Sequence, residues 1–128
     1  MIEINYLSLI IAAGAAFMAS FVWYIIFAKQ RAKLSGVSAG QPQPLKIFGE
    51  FIKNIILALV LSYFVSSLGI GTWLSIAGLS LTLWIGFPVL ILISSVTYEK
   101  VPFKLAAIHA GDWLLKLALI TAIVGFWR

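Results

Sequence analysis

From Ile4 to Ala28 the chain carries no charged residue, and a second uncharged run extends from Asn54 to Tyr98. An α-helix rises 1.5 Å per residue, so about 20 apolar residues cross the hydrocarbon core of a bilayer. The first run is one crossing. The second is too long for one helix and suits parts of two, divided at Gly69-Ile70-Gly71-Thr72, with Trp73 as an interfacial anchor after the turn. A fourth apolar run lies between Lys104 and Trp127. The pattern predicts an all-α integral membrane protein, a bundle of four transmembrane helices in two hairpins. The expected spans, within a single membrane domain 1–128, cover about 5–28, 46–68, 73–97 and 104–127. Between the first two, the linker from Gln30 to Leu45 contains GVSAGQPQP, where Gly36, Gly40, Pro42 and Pro44 disfavour helix.

Composition points the same way. Of the residues 62% are hydrophobic and 10% charged, with a mean hydropathy of +1.09. A soluble domain is nearer half apolar and about a quarter charged. Too little polar surface remains to cover a water-soluble globule, and the lipid bilayer is the natural solvent. The absence of cysteine excludes disulfides and thiolate chemistry.

The net charge of +5 matters through its placement. The first loop holds Lys29, Arg31, Lys33 and Lys46, and the third holds Lys100 and Lys104. The second has no charge. The positive-inside rule then predicts both basic loops in the cytoplasm and both termini outside. In such a chain Lys and Arg mark loops and anionic headgroups, so no nucleic-acid partner is expected. The only charged side chain before the first run is Glu3, the reverse of a signal peptide, so that segment reads as a retained helix.

Two local features bear on packing. Ala12, Ala16 and Ser20 recur every four residues and predict a close helix-packing seam. Pro88, two residues after Gly86, cannot donate to the carbonyl of Trp84, which predicts a kink in the third span. Pro44-Leu45-Lys46-Ile47 and Pro102-Phe103-Lys104-Leu105 echo one another. The echo reads either as a duplicated hairpin or as the general preference of helix starts for Pro and Lys.

The second and fourth spans carry ionisable groups. His109, Asp112 and Lys116 fall within about 60° of one helix face, and Glu50, Lys53 and Asn54 within about 100°. Counted from Lys46 and Lys104, Glu50 and His109 lie roughly 6 and 8 Å deep, Lys53 and Asp112 roughly 10 and 12 Å, and Lys116 roughly 18 Å. These levels predict Glu50 opposite His109 and Lys53 opposite Asp112. Asp112 also precedes Lys116 by four residues, the favourable order for an intrahelical pair. Charges facing lipid cost about 2.5–3.5 kcal/mol each on insertion scales, so both stripes should face inward.

Beyond Lys116 the face continues as Ile120, Ile123 and Trp127, with hydroxyls such as Ser62, Ser66 and Thr121 in that half. The expectation is a polar pocket open to the cytoplasm and closed outside, binding or moving a small solute, ion or proton. The alternative is a non-catalytic accessory or scaffold subunit of a larger membrane complex, with the charges purely structural. No nucleophile–base pattern, phosphate loop, haem ligand pair or metal-ligand spacing is present, so neither enzyme activity, cofactor nor metal is expected. Besides the lipid bilayer, four helices leave room for a homodimer or a larger complex.

Asn5-Tyr6-Leu7, Trp23-Tyr24 and Phe27-Ala28-Lys29 resemble the start of the domain of unknown function 1761 family. Leu83-Trp84-Ile85-Gly86-Phe87 and Ile108-His109-Ala110-Gly111 resemble its later pattern. The family comprises small four-span prokaryotic membrane proteins without an established activity. The resemblance therefore implies an architecture, multi-pass in a prokaryotic cytoplasmic (inner) membrane, and no reaction. The chain departs from the pattern at Ile25, Ile26 and Ala28, and has His109 and Asp112 where the family usually has Asn and Tyr.

Overall fold

The structure, a computed structural model, describes residues 4–35 and 44–127. Glu3, Arg128 and the linker residues 36–43 lie outside these. The described chain forms α1 (Tyr6–Ile26), α2 (Ala28–Ser35), α3 (Pro44–Leu68), α4 (Trp73–Trp84), a π-helical turn (Ile85–Val89), α5 (Leu90–Tyr98) and α6 (Phe103–Phe126). Among the described residues, four helices are long and apolar enough to cross a membrane: α1, α3, the continuous Trp73–Tyr98 rod and α6. The front of the linker, expected as loop from Gln30, is helical as far as Ser35.

Local signals set the element ends. Asn5 caps α1: its side chain accepts the Ser8 amide at 3.2 Å, and the Ser8 hydroxyl donates to the Asn5 carbonyl at 2.9 Å. Gly69 ends α3 with φ of 66°, the left-handed conformation glycine adopts without a Cβ penalty. The Ile70 amide then returns to the Val65 carbonyl at 3.0 Å, and both side chains join the core. Thr72 and Ser75 close a reciprocal capping box that starts α4.

The irregularity expected at Pro88 takes the form of the π-helical turn. Proline lacks the amide hydrogen and its ring crowds the carbonyl four residues back, so widening one turn by a residue relieves both.

The bundle is assembled around α6, which packs against α1, α3 and α4. Its apolar window is 39% buried, against 17% for the third span, so α6 is the central helix and the third span lies outermost. Ala12, Ala13 and Ala16 of α1 are fully buried, and their small side chains let α3 and α6 approach.

Burial is inverted relative to a soluble protein. Ser8, Asn54, Ser62, Ser80, Asp112 and Thr121 lie inside, while Ile10, Phe21, Ile56, Leu81 and Ile91 are exposed. Exposed apolar side chains on all four spans suit contact with acyl chains, and the polar groups are withdrawn from it.

Candidate functional site: a buried carboxylate between the first and last spans

The register Ala12, Ala16, Ser20 continues to Tyr24, because every fourth residue stays near one helix face. At its apolar end this face brings α1 against its neighbours. At its other end it delivers two hydroxyls to α6. Ser20 Oγ donates to Asp112 Oδ1, and the Tyr24 hydroxyl donates to Asp112 Oδ2 at 3.2 Å. Lys116 Nζ lies 3.0 Å from the same Oδ2, one turn further along α6. Asp112 is only 2% exposed, so the hydroxyls and the ammonium stand in for the water it has lost. Lys116 also sits over the Trp113 ring, 4.5 Å from its centroid, a cation–π contact on the apolar side of the ammonium.

The Tyr24 hydroxyl has a second partner, His109 Nδ1 at 2.8 Å. A phenol has one proton to donate, so when it faces Asp112 its oxygen accepts from His109 Nδ1–H. With Nε2 also protonated, reversing both bonds moves one proton from the imidazolium to the carboxylate and leaves a neutral imidazole. Lys116, Asp112, Tyr24 and His109 thus form one hydrogen-bonded series, running from mid-helix toward the end of α6 that carries Lys104.

Two indoles hold α6 in place around this group. Trp23 Nε1 of α1 donates to the Ile108 carbonyl at 2.9 Å, and Trp84 Nε1 of α4 donates to the Ala110 carbonyl at 2.8 Å. A helix carbonyl has a second lone pair, so it accepts these bonds without giving up its intrahelical one. Gly111 is required beside Trp23: a Cβ there would overlap the indole Cζ2 and crowd Cη2.

The cross-bundle pairing expected from depth does not form. Glu50 and Lys53 bond to each other at 2.9 Å on α3, with side chains 54% and 73% exposed, and the Asn54 amide donates to the Glu50 carbonyl. Depth alone placed these groups level with His109 and Asp112. The α6 face bearing Asp112 is instead covered by Ser20 and Tyr24 of α1. A Glu–Lys pair one turn apart near the start of its span satisfies itself, and its exposed side chains need no partner from another helix.

Of the residues singled out from sequence, the structure joins His109, Asp112, Lys116 and Ser20 into one group and leaves Glu50, Lys53 and Asn54 apart. Tyr24, Trp23 and Trp84 were missed as site residues. In the other half of the bundle, the buried hydroxyls of Ser62 and Thr121 have no hydrogen-bond partner. Among the described residues no group of three or more His, Cys, Asp or Glu side chains gathers as a metal site.

Four apolar helices with withdrawn polar groups define a multi-pass helical membrane protein. Within that class, the chain belongs to the family described as "Protein of unknown function (DUF1761)", which it matches over residues 7–125. No curated protein and no solved structure was found to match it.

Proposed function

We propose that this protein takes up a proton at His109 and passes it through Tyr24 to Asp112, as one step in binding or moving a small solute or ion. The reading rests on one observation, the Tyr24 hydroxyl shared between His109 Nδ1 and Asp112 Oδ2. Chains of Asp, His and hydroxyl groups inside a membrane are the usual substance of proton relays. On this reading the basic loops face the cytoplasm and His109 is the entry from that side. In the other half, the unpartnered Ser62 and Thr121 hydroxyls are where water would complete a path.

A second reading, the accessory or scaffold subunit, is favoured by the pairing of Asp112 with Lys116 within one helix. A buried pair of this kind can fix helix packing without binding anything.

Proton flux separates the two. Proteoliposomes loaded with a pH-sensitive dye, under an imposed potassium diffusion potential, should acidify faster with wild-type protein than without it. Asp112→Asn is expected to return the signal to the level of empty vesicles. Glu50→Gln is expected to leave it unchanged, because the exposed Glu50–Lys53 pair stands outside the relay. No difference between wild-type and empty vesicles would favour the accessory reading.

A further inference from the structure

An open cleft of about 500 Å³ lies where α2 meets the start of α6. Gln30, Lys33 and Lys104 supply its polar lining, and Phe103, Ala107 and Ile108 its apolar floor. Lys33 and Lys104 are exposed, and neither is in an ion pair with a described residue. Two cations with no counterion among the described residues therefore stand over an apolar surface. Pro102 begins α6 without a side-chain cap, and the positive end of that helix adds to the charge of the lysines.

The position of the cleft selects the occupant. With 24 residues α6 is about 36 Å long, more than the roughly 30 Å hydrocarbon core, so its first turn reaches the headgroup layer. A free inorganic anion would use the lysines and leave the apolar floor wet. A molecule with a phosphate at one end and acyl chains at the other uses both. We infer that the cleft binds an anionic phospholipid, its phosphate held by Lys33, Lys104 and Gln30 and an acyl chain lying over Phe103, Ala107 and Ile108. The site is separate from the Asp112 group and stands whether or not protons move there.

Native mass spectrometry of the full chain, released from micelles titrated with phosphatidylglycerol or with phosphatidylcholine of the same acyl chains, tests this directly. Wild-type protein should retain phosphatidylglycerol in preference. The Lys33→Gln/Lys104→Gln double variant should bind it roughly 30-fold more weakly, the effect of two surface cations on an anionic lipid. Ala107→Trp fills the floor without touching charge and should also displace the lipid. Lys53→Gln, a basic side chain outside the cleft, should change nothing. Equal retention of the two lipids would overturn the inference, as would equal losses in Lys53→Gln and the double variant. Displacement by inorganic phosphate at the lipid's own concentration would assign the site to a free anion and overturn it too.

Discussion

Asp112→Ala is expected to lower the stability of the folded bundle by about 3–5 kcal/mol, the usual consequence of removing one member of a buried ion pair. Three interactions end at once: the Ser20 hydroxyl, the Tyr24 hydroxyl and the Lys116 ammonium all lose their acceptor. The ammonium matters most. The Lys116 side chain is only 12% exposed and belongs to the middle of its span, where an unpaired charge is costly. The companion experiment removes both charges. Asp112→Leu/Lys116→Met should recover most of the loss, because replacing a whole buried pair by apolar groups is often nearly neutral. Equilibrium unfolding in mixed micelles, titrated with a denaturing detergent, reads both. An Asp112→Ala variant within about 0.5 kcal/mol of wild type would show that the pair contributes no more than a surface substitution.

Gly111→Ala should cost about 1–3 kcal/mol, a large effect for one methyl group. The added carbon meets the six-membered ring of Trp23, and the indole cannot withdraw without breaking its bond to the Ile108 carbonyl. Phenylalanine at position 23 lacks the part of the ring that collides. The penalty of Gly111→Ala should therefore shrink in a Trp23→Phe background, with a coupling of about 0.5–3 kcal/mol between the two sites. The same unfolding titration over the four-protein cycle measures it. Additive losses would mean that Gly111 and Trp23 do not share this space.

The four crossings were legible because charge is so rare in this chain. Long apolar runs bounded by Lys29, Lys46, Lys100 and Lys104 leave little choice of boundary, and Gly69 marks the tight turn between the middle two spans. The charged stripe of α6 was legible from helical spacing. Its partner was not. Depth counting gives the height of a side chain in the membrane but not which neighbouring helix faces it, so Glu50 and Lys53 looked as suitable as Ser20 and Tyr24. The small-residue seam held the missing information, since a helix that approaches closely at Ala12 and Ala16 also presents Ser20 and Tyr24 to the same neighbourhood. The roles of Trp23 and Trp84 were hidden for another reason. Tryptophan near a span end reads as an interfacial anchor, and only the fold shows an indole donating to a backbone carbonyl of α6.

Tyr24→Phe tests the relay most directly, because it removes one oxygen and keeps the ring. Asp112 retains Ser20 and Lys116, so the variant should unfold close to the wild-type midpoint. Its proton flux in dye-loaded proteoliposomes should nevertheless fall to that of empty vesicles, since no proton can then pass between His109 and Asp112. Wild-type flux through a folded Tyr24→Phe protein would contradict the relay.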